Sequence, residues 1–112
     1  MVSIYLAQAL RKKKIIVKGS LNRFRDFVHI DDVVDSWIKA SSKPSIKNIT
    51  FNLGTGKKTY VKKILKIIQS NMKNIKILKA KNTPGDQNGI YMNNKLIVSK
   101  LNKKKFISIE EG

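Results

Sequence analysis

The predicted fold is decided by residues 25–34, Arg-Asp-Phe-Val-His-Ile-Asp-Asp-Val-Val. The apolar run from Phe27 to Ile30 predicts a short buried strand. Asp31 or Asp32 would end this strand and cap a helix, because a short carboxylate accepts hydrogen bonds from the N–H groups of a first helical turn. We expect that helix to have an apolar face, made of residues that recur at helical spacing: Val33, Val34, Trp37 and Ile38.

Arg25 precedes the predicted strand and is one of only three arginines in the chain. A guanidinium presents a planar fork of donors, which can bind a phosphate through two hydrogen bonds. Arg25 could instead form a surface ion pair with Asp26 or Asp32, which would add little stability. Arg25 is therefore the candidate phosphate-binding residue of this sequence.

The composition is typical of one small folded domain. The chain has 112 residues, of which 41% are hydrophobic, and it has no cysteine. Disulfides and thiolate metal sites are thereby excluded. No apolar run approaches the roughly 20 residues that a membrane-spanning helix needs, and the first residues lack a signal-peptide pattern. We therefore expect a cytoplasmic protein without a membrane partner.

The charge is strongly basic, with a formal net charge of +17 and 24 basic residues. This excess could indicate a small nucleic-acid-binding module. Only Arg11, Arg23 and Arg25 are arginines, however, and surfaces that read bases or clamp phosphates tend to prefer arginine. Lysine, asparagine and isoleucine share AT-rich codons, so genome composition can explain the bias. We interpret the charge as a solvated surface and expect no specific nucleic-acid partner.

The periodicity of the chain predicts an α/β fold in which short strands alternate with helices. A turn is predicted at Gly19-Ser20, and a loop at 82–89. The strongest amphipathic pattern lies between residues 61 and 72, where apolar residues face one way and lysines the other. The predicted strands are 15–18, 27–30, 49–53 and 75–78, and the predicted helices are 1–10, the segment after Asp32, the segment after Thr59, and the segment from Asn93 or Asn94 to Leu101.

Two glycines follow the predicted strand at 49–53, in the turn Gly54-Thr55-Gly56. Such a turn could cradle a phosphate, as in the dinucleotide-binding G-x-G-x-x-G fingerprint. Thr59 stands where the third glycine should be, and the segment 76–81, about 20 residues on, is basic rather than acidic. We interpret the glycines as a tight turn and Thr59 as a helix cap, with a phosphate cradle as the alternative.

No metal site is predicted. His29 is the only histidine, and no second metal ligand stands near it at a usable spacing. A single histidine in an apolar strand is more typical of packing than of catalysis. Asp31 is interpreted as a helix cap rather than as a general base.

Residues 25–34 resemble the "RDFV-(aromatic or His)-(V/I)-DDV" segment of the extended short-chain dehydrogenase/reductase family, the NAD-dependent nucleotide-sugar epimerases and dehydratases. Residues 51–56, Phe-Asn-Leu-Gly-Thr-Gly, resemble the "YNVGTG" strand and turn of that family. Residues 84–86, Pro-Gly-Asp, with Tyr91 and the helix up to Leu101 resemble its "PGD…Y.D..KA...L" segment. Because these motifs follow one another in the family's order, the resemblance covers the chain from about Ile15 onward.

The resemblance implies a fold and a set of binding residues. The fold is the C-terminal portion of an extended Rossmann-type epimerase or dehydratase. Arg25 would hold the diphosphate of a nucleotide sugar, and Ile16 and Lys18 would lie nearest its base. Gln87 and Asn88 stand where family members often carry arginine, and they could donate hydrogen bonds to the sugar or the phosphate.

Catalysis in this family uses a glycine-rich NAD-binding loop and a Tyr-x-x-x-Lys pair. Tyr91 and Lys95 match that spacing but lie in the late loop and helix, so we interpret the match as coincidence and assign no catalytic or cofactor-binding residue here. We expect residues 1–112 to be a single partial domain, the substrate-binding part of an enzyme that is a homodimer when complete. The NAD-binding domain and a helix after the Ser108-to-Glu111 capping box would be missing.

Under this interpretation, we expect the fragment alone to be inactive and unable to bind NAD. The complete enzyme would bind NAD. The sugar, the base and the choice between epimerase and dehydratase are not determined by the sequence. A non-catalytic remnant of a truncated gene is the third interpretation, beside the enzyme part and the nucleic-acid-binding module.

Overall fold

The structure is a computed structural model that describes residues 1–81, 85 and 87–112. Most of the predicted motif at 84–86 and part of the predicted loop at 82–89 lie outside the described residues. The helices and strands are, in chain order, α1 (Val2–Lys12), β1 (Lys14–Lys18), β2 (Phe24–Arg25), α2 (Ile30–Ser41), a 3₁₀-helix (Pro44–Ile46), β3 (Thr59–Tyr60), α3 (Val61–Asn71), β4 (Lys76–Ala80), β5 (Gly89–Ile90) and α4 (Lys95–Leu101).

The chain folds into two compact units. Unit 1 consists of residues 1–25 and 59–90, and unit 2 consists of residues 26–58 and 91–112. The helices α1 and α3 and the strands β1 to β5 belong to unit 1, whereas α2 and α4 belong to unit 2.

The strands β1 and β4 pair in parallel in one sheet of unit 1, and β3, β2 and β5 form a second sheet in that order. Residues of β1 alternate between buried and exposed, with Ile15 and Val17 fully buried. Ile16, on the opposite face, lies beside Leu78 of β4 in the register of the sheet. The strands predicted at 15–18 and 75–78 are thereby confirmed, with small changes at their ends.

The helices of unit 1 bury one face each. In α3 the predicted stripe is confirmed, since Val61, Ile64, Leu65 and Ile68 are buried while its lysines are exposed. The predicted cap was wrong. Thr59 lies in β3, and the helix begins at Val61 after Tyr60, whose side chain makes no capping hydrogen bond. In α1, which contacts both β1 and α3, Tyr5 and Ala9 face the core.

The predicted strand at 27–30 is not formed. The strand β2 ends at Arg25, and Ile30 is already the first residue of α2. The N-cap is His29, not Asp31 or Asp32, and its Nδ1 accepts a hydrogen bond from the Asp31 N–H at 3.3 Å. A neutral imidazole nitrogen can accept the amide hydrogen bond that a capping carboxylate would accept.

The predicted apolar face of α2 is the exposed face. Asp32 and Ser36 are the buried residues of this helix, whereas Trp37 and Ile38 are 68% and 63% exposed. Asp32 is buried because its carboxylate accepts a hydrogen bond from the Ile107 N–H and pairs with Lys103. The face of α2 that is buried in unit 2 therefore carries these polar contacts, and Ala40 of the same helix packs on the apolar cluster of the unit.

A small apolar cluster forms the core of unit 2. Ile46 packs with Ile97 and Leu101 of α4, and four partly buried side chains surround them: Ala40, Phe51, Leu53 and Val98. The strand predicted at residues 49–53 is not formed, although Phe51 and Leu53 of this segment pack on the cluster. The predicted end of α4 at Leu101 is confirmed.

The predicted capping box near residue 108 is formed within unit 2. The Ser108 N–H donates to Glu111 Oε2 at 2.8 Å, and the Glu111 N–H donates to Ser108 Oγ at 3.3 Å. The pKa of Glu111 is lowered because hydrogen bonds from the Ser108 backbone N–H and side chain favour the charged carboxylate. The box encloses a turn at residues 109–111.

Candidate substrate-binding site

Arg25 lies in the middle strand of the three-stranded sheet of unit 1. Its strand β2 pairs antiparallel with β3, where Arg25 faces Thr59, and parallel with β5, where it faces Ile90. Phe24 fixes the strand further through an edge-to-face contact with Tyr60, with ring centroids 5.7 Å apart. The backbone of Arg25 is therefore held on both sides.

Gly89 allows this arrangement because it has no side chain. A Cβ atom at Gly89 would lie 2.5 Å from carbon atoms of the Phe24 ring, which is closer than any real contact. The ring of Phe24 thus occupies the space that a side chain on β5 would fill. Sequence reasoning did not identify this role of Gly89, because the pairing partner of β2 is 65 positions away from Phe24 in the chain.

Gln87 and Asn88, two predicted binding residues, lie beside Arg25, but they contact its strand through their backbone. Arg25 Nη1 donates to the carbonyl oxygens of Phe24 at 2.8 Å and Gln87 at 3.5 Å. The Phe24 N–H donates to the Asn88 carbonyl oxygen at 3.1 Å. The side chains of Gln87 and Asn88 are exposed, so they are available to a ligand.

The other predicted binding residues, Ile16 and Lys18, lie on the exposed face of β1. Ile16 is 39% exposed beside Leu78, which is 45% exposed, and its N–H donates to Gln8 Oε1 at 2.8 Å. The Lys18 side chain is exposed, while its carbonyl oxygen accepts a hydrogen bond from the Arg23 guanidinium. Ile16 and Leu78 together form an apolar surface, and the exposed Lys14 and Lys18 flank Ile16 along β1.

Arg23 is a residue that sequence reasoning missed. Its guanidinium connects β1 to the turn that follows, donating to Lys18 and, from Nε, to the Ser20 carbonyl oxygen at 3.1 Å. Gly19, with a φ of 87°, gives this turn its left-handed residue, as the glycine in the sequence predicts. Burial raises the pKa of Tyr5, and the nearby charge of Arg23 offsets only part of that effect.

Asp26 organises the glycine turn of unit 2, a second role that sequence reasoning missed. Its carboxylate accepts hydrogen bonds from the N–H groups of Thr55 and Gly56, both at 2.9 Å, and from Met92 at 3.2 Å. The Thr55 hydroxyl donates to the same carboxylate. A Cβ at Gly54 would lie 2.8 Å from Asp26 Oδ2, so the close approach requires glycine. The tight turn is therefore formed, and the amides that a phosphate cradle would use are bonded to Asp26.

The buried ion pair of unit 2 joins α2 to the segment after α4. Lys103 Nζ lies 2.9 Å from Asp32 Oδ1 and 2.9 Å from Asp35 Oδ2, and Lys39 also lies 2.9 Å from Asp35. Burial by itself would lower the pKa of Lys103, but hydrogen bonds and charge attraction from Asp32 and Asp35 more than offset it, so that pKa is raised. Hydrogen bonds from Lys39 and Lys103 lower the pKa of Asp35.

Tyr91 and Lys95 line an open pocket of about 480 Å³ in unit 2, together with Gly56 and the residues between them. Tyr91 precedes α4, so the Tyr-x-x-x-Lys pair does not lie on one helix, and the ammonium of Lys58 lies 4.9 Å from the Tyr91 ring centroid.

Within residues 1–81, 85 and 87–112, no three His, Cys, Asp or Glu side chains are grouped as metal ligands. No helix in the described part of the chain is long and apolar enough to cross a membrane.

Comparisons with known proteins agree with this architecture. Residues 1–54 match the model of the NAD dependent epimerase/dehydratase family. The chain is 35% identical over 91 residues to the UDP-glucose 4-epimerase GEPI48 of Cyamopsis tetragonoloba, a match that covers 78% of this chain and 26% of that protein. The chain thus spans about a quarter of the length of this curated relative.

Two solved structures share the fold over 99% of this chain. UDP-glucose 4-epimerase from Thermotoga maritima, solved with UDP-glucose, matches with a TM-score of 0.88 and 28% identity, over 36% of its own length. The NAD dependent NDP-hexosamine 5,6-dehydratase TunA, from tunicamycin biosynthesis, matches with a TM-score of 0.89 and 24% identity, also over 36% of its length. The resemblance and the α/β epimerase-type fold stated from the motifs are confirmed, and the nucleic-acid-binding alternative is not favoured.

Proposed function

Because this chain is related to the NAD dependent epimerase/dehydratase family in both sequence and fold, we propose that it forms the part of a nucleotide-sugar epimerase or dehydratase that holds the nucleoside diphosphate of the substrate. In such an enzyme NAD takes hydride from the sugar and returns it. The observation that carries the proposal is the placement of Arg25, Gln87 and Asn88 side by side in unit 1.

Arg25 is the principal diphosphate-binding residue in this proposal. Its strand is paired on both sides, and the carbonyl oxygens of Phe24 and Gln87 orient its guanidinium. An oriented guanidinium loses little side-chain freedom on binding, and it can donate two hydrogen bonds to adjacent phosphate oxygens. The exposed side-chain amides of Gln87 and Asn88 would donate to the same phosphates or to the sugar.

The base would lie on the exposed face of β1. Ile16 and Leu78 are neighbours in the sheet register and are both partly exposed, so they offer an apolar surface to the flat face of a base. Lys18 follows on the same face of the strand and would interact with the polar edge of the base or with the ribose. This surface is apolar rather than aromatic, so it would bind the base by packing and not by stacking.

The glycine turn at residues 54–56 does not fit the pyrophosphate of NAD. The Thr55 and Gly56 amides, which would have to bind the pyrophosphate, donate to Asp26, and Thr59 stands in place of the third glycine. We assign this chain to the substrate side of the reaction, and the NAD site of the complete enzyme to other residues.

Calorimetry of the purified chain with UDP-glucose, UDP, glucose and NAD tests the proposal. We expect UDP-glucose and UDP to bind in a 1:1 ratio, and glucose and NAD not to bind. Arg25→Ala should weaken UDP-glucose binding roughly 10- to 150-fold, since a charge-assisted hydrogen bond contributes about 1.5–3 kcal/mol. Arg11→Ala, which removes an exposed arginine of α1, is the matched control and should leave affinity unchanged.

Two results would contradict the proposal. One is that UDP-glucose fails to bind at millimolar concentration, which would favour a non-catalytic remnant. The other is that Arg25→Ala binds UDP-glucose as tightly as the parent chain, which would remove the diphosphate role from Arg25.

A further inference from the structure

The open pocket of unit 2 has no part in the proposed function. It has a volume of about 480 Å³ and is lined by Gly56 of the glycine turn and by residues 91–95. Pockets that hold small molecules have volumes of about 300–1,000 Å³, so a compact ligand fits this one. None of the six lining residues is acidic, whereas Lys95 is a cation.

The wall of the pocket is fixed by contacts within unit 2. Asn94 Nδ2 donates a hydrogen bond to the Gly54 carbonyl oxygen at 3.2 Å. A Cβ atom at Gly56, whose φ is 73°, would lie 2.9 Å from Asn94 Oδ1, so this close approach requires glycine. The Met92 N–H donates to Asp26 Oδ2 at 3.2 Å. Because these groups are already ordered, a ligand that binds against them pays little for ordering the wall.

The side chains around the pocket supply positive charge and hydrogen-bond donors. Lys95 lines the pocket, and the Lys58 ammonium lies 4.9 Å from the centroid of the Tyr91 ring, where a cation–π attraction holds it at the wall. Asn93 Oδ1 accepts a hydrogen bond from the Lys95 N–H at 3.2 Å. The NH₂ end of this exposed amide is therefore the end that a ligand can use.

One carboxylate borders the pocket, and its charge is shared among donors of the glycine turn. Asp26 accepts hydrogen bonds from the N–H groups of Gly56 and Met92, two of the lining residues. It also accepts hydrogen bonds from the N–H and the hydroxyl of Thr55. Two ammonium groups, on Lys58 and Lys95, stand against this one carboxylate, so the local charge is positive and favours an anion.

We propose that this pocket binds a small organic phosphate, that is, a phosphate monoester on a compact polar molecule. Lys58, Lys95 and the amide of Asn93 are three donor groups on three different side chains, which suits the three terminal oxygens of a monoester better than the two of a carboxylate. Tyr91 and Met92 would contact the carbon skeleton of the ligand. This inference does not depend on the proposed function, which uses other residues.

An NMR titration of the ¹⁵N-labelled chain with glycerol 3-phosphate tests the proposal. The backbone amide signals of Gly56 and of residues 91–95 should shift and saturate, with a dissociation constant on the order of 1 mM, as expected for a few charge-assisted hydrogen bonds in an open site. Glycerol at the same concentration should leave these signals unchanged. Arg25→Ala should show the same shifts as the parent chain, because Arg25 belongs to unit 1.

Two lysine variants assign the binding to the pocket. Lys95→Ala and Lys58→Ala should each weaken glycerol 3-phosphate binding at least about 10-fold, the effect of losing one charge-assisted hydrogen bond. Lys100→Ala is the matched control, because it removes an exposed lysine of the same helix that does not line the pocket. It should leave the affinity unchanged.

Three outcomes would overturn the proposal. Shifts that spread over lysines throughout the chain and do not saturate would show only attraction to a basic surface. Binding by a folded Lys95→Ala chain as tight as that of the parent would remove the pocket lysine from the site. Loss of the shifts in Arg25→Ala would assign the phosphate to Arg25 instead of this pocket.

Discussion

Lys103 Nζ lies 2.9 Å from Asp32 Oδ1, and both side chains are almost fully buried, at 5% and 7% exposure. This pair joins α2 to the segment after α4 inside unit 2, and Asp32 also accepts the Ile107 N–H at 2.8 Å. A buried ion pair adds little net stability compared with an apolar pair, but the loss of one partner leaves a buried charge without compensation.

Replacing the buried Lys103 should therefore destabilise the folded chain. We expect Lys103→Met to lower the free energy of unfolding by about 3–5 kcal/mol, measured by urea denaturation. Lys39→Met is the matched control, because Lys39 pairs with Asp35 at the surface and should contribute less than about 1 kcal/mol. Asp32→Asn combined with Lys103→Met should recover part of the loss. Equal effects of the two single lysine replacements would contradict this role of Lys103.

The ion pairs that Lys103 forms with Asp32 and Asp35 predict that the free energy of unfolding is highest at intermediate pH. The pKa of Lys103 is raised, so its stabilisation is complete below the ordinary lysine value of about 10.4 and is lost as the pH rises through the raised pKa. The pKa of Asp35 is lowered, so its contribution is present above about pH 4 and is lost as the pH falls through the lowered pKa.

Thermal melts of the parent chain and Lys103→Met across pH 3–11 check this dependence. The difference in Tm between the two should be constant near neutral pH and should shrink above about pH 10.4. A difference that persists unchanged at pH 11 would show that the charge of Lys103 is not what stabilises unit 2.

Asp26 should be necessary for the glycine turn. Asp26→Asn keeps the size of the side chain but replaces one acceptor oxygen with an NH₂ donor. This donor would face the N–H groups of Thr55 and Gly56, which donate hydrogen bonds to Asp26 in the parent chain. We expect a loss of roughly 1.5–3 kcal/mol in the free energy of unfolding. Amide exchange at Thr55, Gly56 and Met92 should become faster. Asp31→Asn, at an exposed carboxylate, is the control; if it accelerates exchange equally, the effect is not specific to Asp26.

Gly89 should be required for the placement of Arg25. The Cβ of Gly89→Ala would lie 2.5 Å from the Phe24 ring, so the ring and the adjacent strand must move. We expect a cost of about 1–3 kcal/mol in stability and weaker UDP-glucose binding in the remaining folded protein. Gln87→Ala removes an exposed side chain nearby and should leave stability unchanged. A Gly89→Ala chain as stable as the parent would mean that the packing of Phe24 on β5 is not essential.

The elements that could be predicted are those specified by neighbouring residues. The stripe of α3 repeats every three or four residues over Val61–Asn71, and its lysines face the other way. Ser108 and Glu111 are three residues apart, so their reciprocal hydrogen bonds form from local geometry. Gly19 permits a positive φ that other residues adopt only with strain. In each case the residues that cause the local structure are close to one another in the sequence.

Two of the predictions that failed concern aspartates whose partners are distant in the chain. Asp26 binds Thr55 and Met92, 29 and 66 positions away, so the segment after Arg25 does not continue as a strand. His29 caps α2 in place of the two aspartates, and Asp32 instead pairs with Lys103. No periodicity within residues 25–41 identifies these partners.

Sequence motifs alone identified the epimerase-type fold, the amphipathic helices and the candidate residues Arg25, Gln87 and Asn88, because chain-local patterns and family motifs carry that information. Which atoms of those residues meet was settled by long-range packing: Gln87 and Asn88 contact the Arg25 strand through their carbonyl oxygens, and Gly89 makes room for Phe24. The physical reason is that hydrophobic periodicity specifies one face of an element. A buried carboxylate such as Asp32 instead requires a cation and N–H donors, and its partners Lys103 and Ile107 lie 71 and 75 positions further along the chain, where no local pattern of residues 30–41 identifies them.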